Sequence, residues 1–418
     1  MKKIVQNTAP RQGAVKQLVL EMPELVQTEL HALVVGAGMM VLGKMLEAER
    51  TDLCGPRYTH ASTRTASRAG TAPGELALGG RRVAVRRPRV RAVGGDEVAL
   101  KTWEAFAQED ALMQRAVEQM VIGVSTRKYE RSLEPIDVKT RGVSKSAVSR
   151  RFVAMTQSKL DEMLNTDLSK FDLAVLMIDG IHIGDHVVLV ALGIDVDGKK
   201  HVLGLHEGAT ENSVACTALL ASLAERGMRT DRSTFVAIDG GKGLRKAVVD
   251  VFGKRAVIQR CQLHKRRNVT EHLPESRRKR IDTAMAQAYR LGDVDKAKKL
   301  LMNTARMLEG KHPSAAASLR EGLDETLTVM RFHLPAALVR TLSSTNPIEN
   351  IQGGIRRVCR RVTTWNGGSM ILRWVGAALV EHARGFRRLR GHAGMPKLVA
   401  ALRALDAATG VAQHVKAA

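Results

Sequence analysis

Three acidic residues carry the chemistry this chain offers. The run LAVLMIDG (173–180) ends on Asp179-Gly180, and STFVAIDGGKG (233–243) carries Asp239-Gly240. Each run is short, apolar and rich in β-branched residues, which predicts a buried strand that delivers a carboxylate at its C-terminal tip. A third acid, Glu349 in STNPIEN (344–350), stands at the start of a predicted helix. Carboxylates from separate elements suit Mg²⁺, which needs only a few protein oxygens and keeps part of its water shell. Two such ions about 3.5–4 Å apart activate an attacking oxygen and stabilise a leaving one, as phosphodiester cleavage without a protein nucleophile requires. The three acids therefore predict a site for two Mg²⁺ ions, with Mn²⁺ as a substitute.

Each acid also has an ordinary explanation. Asp-Gly after a strand is a common turn dipeptide. Glu349 lies three residues after Asn346, with Pro347 at the first helical position, as in a capping-box-like helix start. The order and context of the three together, not any one of them, point to a site. Asp195 and Asp197 flank a predicted hairpin tip and read as solvated turn residues. Cys261 and His264 in RCQLHKRRN (260–268) are spaced like half of a zinc site, but no second Cys or His pair at ligand spacing follows. GGKG (240–243) is too short for a phosphate-binding P-loop, and no GxSxG elbow marks a serine hydrolase.

The elements that must position these residues follow from pattern. HVVLVALGID (186–195) and KKHVLGLHEG (199–208) flank Val196-Asp197-Gly198, so with LAVLMIDG they predict a three-strand antiparallel meander. A helix over 211–226, a strand over 233–239, a helix over 244–252 and a fifth strand over 256–260 come next. That order, βββαβαβ, predicts an α/β fold with a ribonuclease H-like mixed sheet. In such a sheet the first and fourth strands are neighbours, which would bring Asp179 and Asp239 together. Asp179, on the central strand, is then the expected bridging ligand, with Asp239 holding one ion and Glu349 the other.

The catalytic core is read as 169–270 and 341–375, separated by an α-helical insertion over 271–340 and followed by a basic helical tail over 376–418. Trp365 and Trp374 read as packing residues. Upstream, a helical entry segment covers 1–55, with Leu18, Leu25, Leu30, Leu33 and Val34 on one face and a break at Gly36-Ala-Gly38. Residues 56–96 read as a basic mobile linker (55–75) and a hairpin turning at Gly79-Gly80, whose Arg81, Arg82, Arg86 and Arg87 would line an exposed surface. Residues 97–168 hold an approximate repeat, GVSTRKYERSL (123–133) and GVSKSAVSRRF (142–152), each opening with a Ser N-cap at Ser125 or Ser144. Two ordinary capped helices would look the same. The functional reading is a mainly helical, helix-turn-helix-like DNA-binding region, with Lys145, Ser146, Ser149, Arg150 and Arg151 toward DNA.

Composition favours such a partner. Lys and Arg number 66 against 42 acids, for a formal net charge of +24 spread along the chain. A field of that sign favours a polyanion. No stretch approaches the roughly 20 apolar residues of a spanning helix, and the first residues, MKKIVQNTAPRQG, lack the apolar core of a signal peptide. Four scattered cysteines without framework spacing fit a reducing cytoplasm and no disulfide.

The set IDG, GID-x-DG with VLGL, AIDGGKG, RCQLH and STNPIEN closely resembles the Mutator-type transposases of bacterial insertion sequences, over about 171–375. The basic hairpin and the GVS segments give a looser echo upstream. The resemblance implies an Asp-Asp-Glu triad at Asp179, Asp239 and Glu349, with the family's Cys-x-x-His signature on Cys261 and His264. It further implies Mg²⁺-dependent strand cleavage and transfer on double-stranded DNA, at terminal inverted repeats and target. A homo-oligomeric synaptic complex and a bacterial, nucleoid-associated cytoplasmic protein are implied too. Pro347 departs from the apolar or small residue more usual before Ile348, and a first-turn proline is compatible with an active helix start. The competing readings are a ribonuclease H-like nuclease or resolvase, since fold does not determine substrate, and a domesticated, non-catalytic DNA-binding regulator, against which the three intact acids argue.

Overall fold

A computed structural model describes residues 24–59, 64–107, 110–133, 140–208 and 213–408. The chain divides into two compact units, 1–155 and 156–418.

The first unit begins with α1 (Glu24–Cys54), which runs unbroken through Gly36-Ala-Gly38 where a break was expected. Its buried stripe is Leu42, Leu46, Arg50 and Cys54, spaced by four, whereas Leu33 is exposed. Leu18 lies outside the described residues. The hairpin is longer than its sequence suggests, because β1 (Ala66–Leu78) pairs along its length with β2 (Arg81–Ala92). Residues 66–75 are therefore strand and not linker. A bulge between Arg68 and Thr71, with Gly70 at positive φ, breaks the period-2 alternation that would have marked the strand. Gly79 and Gly80 both adopt left-handed φ, as a two-residue turn requires, and Tyr129 packs beneath and donates to the Gly80 carbonyl at 3.0 Å.

The short β3 (Glu97–Val98) pairs with β2, and α2 (Lys101–Ala107) and α3 (Asp110–Val121) follow. The first GVS segment forms no α-helix: turns lead into one 3₁₀ turn over Glu130–Ser132, because Tyr129 is drawn into the core. The second follows β4 (Thr140–Arg141) and opens α4 (Lys145–Asn165), whose first turn is capped by Ser144 Oγ accepting from Ala147 N at 3.3 Å.

The second unit is built on β5 (Leu173–Ile183), β6 (His186–Asp195) and β7 (Lys200–Gly208), then α5 (Ser213–Glu225), β8 (Thr234–Ile238), α6 (Lys242–Phe252) and β9 (Ala256–Arg260). The sheet order is β7-β6-β5-β8-β9, with β6 antiparallel to both neighbours and β8 and β9 parallel to β5. Asp195 accepts from Asp197 N and Lys199 N at the β6–β7 tip, a turn role, and Asp197 is exposed. After α7 (Gln262–Glu271), the insertion is helical: α8 (Glu275–Ala288), α9 (Val294–Glu309), α10 (Pro313–Arg320), α11 (Leu323–Thr326), a 3₁₀ stretch (Thr328–Phe332) and α12 (Ala336–Leu342). Then come α13 (Asn346–Cys359), α14 (Gly368–Ala383) and α15 (Met395–Ala408). Trp365 and Trp374 meet edge to face at 6.5 Å.

Alternation along the strands sorts the core into two layers. Leu176 and Ile178 of β5, with Val236 and Ile238 of β8, pack under α5 and α6. Val175, Met177 and Ile181, with Phe235 and Ala237, face the opposite layer, which holds α8 to α10 and α13 to α15. Among the described residues all four cysteines are buried and free, and no helix is long and apolar enough to cross a membrane.

Candidate active site

The expected acids arrive by different routes. β5 and β8 pair in parallel at Val175↔Phe235, Leu176↔Val236 and Met177↔Ala237, and continuing that register sets Asp179 level with Asp239. By the same alternation both lie on the face of Met177 and Ala237, toward the layer that contains α13. Adjacent strands are about 4.8 Å apart, so the two carboxylates are neighbours. Only Asp239 is at a strand tip. Asp179 stands inside β5, opposite Val190, because β6 continues to hold β5 after β8 has ended.

Glu349 enters on the first turn of α13, whose N-cap is Thr345 and not Asn346, with Pro347 in the first turn. The buried Thr345 hydroxyl donates to Glu349 Oε1 at 2.7 Å, so the carboxylate is steered by the residue four positions before it. One turn further, Gln352 donates to the Gly180 carbonyl at 3.1 Å and fastens α13 to the strand that carries Asp179. Sequence reasoning missed Thr345 and Gln352. The spacing of Thr345 from Glu349 was a visible signal, whereas the link from Gln352 to Gly180 depends on tertiary packing.

Electrostatics couple the group. Burial, reinforced by the negative charges of Asp239 and Glu349, pushes the Asp179 carboxyl up to about 7, against a smaller opposing effect of His264 and the Gly180 N–H. Gly180 N donates to Asp179 Oδ1 at 3.0 Å and Gly241 N to Asp239 Oδ1 at 2.8 Å.

Cys261 and His264 join this site. Cys261 caps α7, its sulfur accepting from His264 N at 3.5 Å, which is what the three-residue spacing achieves. His264 Nδ1 lies 3.4 Å from Thr345 Oγ1. Contact with Cys261 raises the His264 imidazole to about 9, burial working against it, and Glu349 and Asp179 add to the rise. Burial acts to raise the Cys261 thiol, but hydrogen bonds from His264 and Thr345 outweigh it and bring it down. Ligand atoms of Cys261, His264 and Glu349 lie within 4.8 Å of one another. The third donor that the sequence spacing lacked thus comes from Glu349, more than 80 residues away.

An acid buried among acids and driven toward the neutral form is an environment that a divalent cation would relieve, and its oxygen donors suit Mg²⁺. Asp179, Asp239 and Glu349 offer the oxygen donors that Mg²⁺ takes, whereas the three ligand atoms within 4.8 Å of one another are those of Cys261, His264 and Glu349.

The residues expected to face DNA divide. Lys145, Ser146, Ser149 and Arg150 are exposed on the first turns of α4, but Arg151 is buried and donates to the Gly142 carbonyl. On the hairpin Arg81 is buried, Arg82 lies 4.0 Å from Glu75, and Arg87 pairs with Glu97 at 2.6 Å. Arg86 is exposed and donates to Thr71 at 3.0 Å. The expected all-exposed arginine face is corrected accordingly: strand pairing brings Glu75 and Glu97 against it, and the alternation turns Arg81 inward.

Known proteins resemble this chain over much of its length. The family described as Transposase, Mutator family, matches residues 13–388. A transposase for insertion sequence element IS6120 of Mycolicibacterium smegmatis is 31% identical over 241 residues, covering 56% of this chain and 72% of that protein. The transposase for ISRM5 of Rhizobium meliloti is 27% identical over 392 residues, covering 88% and 90%. That for IS256 in transposon Tn4001 of Staphylococcus aureus is 26% identical, covering 82% and 87%. With nearly the whole chain matched, this protein belongs to the Mutator family of transposases.

Proposed function

We propose that the protein is an insertion-sequence transposase that binds the terminal inverted repeats of its element and cleaves and transfers DNA strands, with Asp179, Asp239 and Glu349 as its catalytic carboxylates. The observation that carries this reading is the convergence of two level aspartates and a helix-borne glutamate on one face of the sheet. The strand order and directions support a ribonuclease H-like core with a helical insertion ahead of the glutamate. Asp179, Asp239 and Glu349 would hold two Mg²⁺ ions, which when bound supply an activated oxygen and a stabilised leaving oxygen. Thr345 holds the Glu349 carboxylate in place by its hydroxyl, and Gln352 keeps that helix against the strand of Asp179. Burial excludes water around Asp179, which strengthens its interaction with any bound cation. The protein works on DNA as an oligomer on this reading, and the exposed first turns of α4 supply contacts to the duplex.

The test uses purified protein and duplexes from the DNA that brackets its gene. Asp179→Asn, Asp239→Asn and Glu349→Gln should each reduce strand cleavage in Mg²⁺ by roughly 10²-fold or more, while mobility-shift binding stays within about twofold. Full cleavage by any one of the three removes that residue from the assignment.

A further inference from the structure

Beside the acids, in the helical insertion, lies a cavity of about 550 Å³ walled by α7, α12, the end of α8 and the segment that leads into α13. Its size falls within the roughly 300–1,000 Å³ of small-molecule sites. Its lining includes the apolar Leu263, Met330, Leu334 and Val339 and the buried Tyr289. The lining also carries Arg266, Arg290, Arg340, Ser344 and Asn346, and among the described residues no Asp or Glu lines it. Arg266 is committed to Asp282, at 2.8 and 2.5 Å. Arg290 and Arg340 are exposed at the rim and make no ion pair among the described residues. Ser344 is 93% buried, and its Oγ has no hydrogen-bond partner in the structure.

The occupant's chemistry follows from the walls. Two unpaired guanidinium groups at the mouth call for an anion, and planar guanidinium forks match phosphate. The apolar part of the lining, with an aromatic side chain and hydroxyl and amide groups, suits one flat heteroaromatic ring with polar edges. We propose that this cavity binds a single nucleotide, its base against Leu263 and Val339 and its phosphate on Arg290 and Arg340.

The location favours a nucleotide extruded from DNA over a free one. Asn346, on the cavity wall, precedes Glu349 by one helical turn, about 4.5 Å of rise. Gln262 N donates to the Ser343 carbonyl at 2.8 Å and joins the two walls at that point. The cavity wall and Glu349 thus lie within about one helical turn of each other along α13, close enough for one bound strand to reach both. This preference rests on the strand-cleavage reading; the nucleotide site itself does not.

The test uses the full chain in two arms. In the first, 2-aminopurine replaces one base at a time near the end of a duplex from the flanking DNA, bound with Ca²⁺ in place of Mg²⁺. Extrusion should give a several-fold fluorescence rise at one position, lost in Val339→Trp, which fills the slot, and in the surface double variant Arg290→Ala/Arg340→Ala, which keeps the interior unchanged. In the second arm, free deoxynucleoside monophosphates are titrated by calorimetry, and both variants should bind at least about tenfold more weakly. A rise in the first arm assigns the nucleotide to DNA, and binding in the second alone assigns it to a free nucleotide. Silence in both arms, or variants that respond like the parent, overturns the proposal even if the protein cuts DNA. Nucleotide responses that persist while Mg²⁺ cleavage is absent keep the cavity assignment and sink the cleavage reading instead.

Discussion

Asp179 is an acid whose surroundings work against its charge, and that has a thermodynamic signature. Its carboxyl is raised from an ordinary value near 3.8 to about 7 in the folded chain. A raised acid leaves the folded state holding a proton that the unfolded state has already released, so stability is fully present below the unfolded value and falls as pH rises toward the folded one. Without divalent ions the chain should lose on the order of 2–4 kcal/mol of stability to this group between pH 4 and 7.5. Asp179→Asn should remove that component and melt higher than the parent at pH 7.5. Added Mg²⁺ should raise the melting temperature of the parent and not of the variant, as binding linkage requires. Parallel pH profiles for the two proteins would show that Asp179 does not carry the effect. The identity of this residue was readable from its apolar run, but its strain was not. The charges that cause it come from Asp239 and Glu349, and their approach is fixed by sheet register and helix packing.

At the level of elements, α4 shows why a basic run is not a uniform surface. Arg150 and Arg151 are consecutive, yet the helical turn sends one outward and the other into the core against Gly142. Arg150→Ala should leave the melting temperature unchanged, weaken binding to duplex DNA and lower the salt slope of binding by about one. Arg151→Ala should lower thermal stability by a few kcal/mol or less, through a lost buried hydrogen bond. Equal effects of the two on binding and melting would remove this distinction. The second unit's strands and helices were legible because its strands hold short apolar runs bounded by turn residues. The first unit was less so. β1 is built from small residues and a bulge, so it looked like a linker, and the first GVS segment resembles a helix start whose continuation is overruled by burial of Tyr129.

For the whole molecule, charge is the dominant long-range property. A net charge of +24 distributed over the chain makes affinity for DNA depend on counterion release. If about six to ten phosphates are contacted, affinity should fall by roughly 10³–10⁵ between 50 and 200 mM salt. A nearly salt-independent Kd, measured by anisotropy on a flanking-DNA duplex, would contradict a phosphate-led interface. Composition alone announced this polyanion partner. It could not reveal which arginines are already neutralised, since Glu75 and Glu97 are set against Arg82 and Arg87 only once the strands are paired.

The wide spacing of the acids along the chain has one more effect, which belongs to synthesis. Asp239 leaves the ribosome about 110 residues ahead of Glu349, a delay of roughly 5–20 s at ordinary elongation rates. Throughout that interval the nascent polypeptide already owns α4 and most of the sheet but lacks the helix that completes the carboxylate trio. On the proposed reading, a product ended early within the insertion would have no means to cut DNA, and it would also lack the later helices that cover one face of the sheet. Cutting would thus wait until the layer over that face is complete, so on this reading an unfinished chain could not nick its own element.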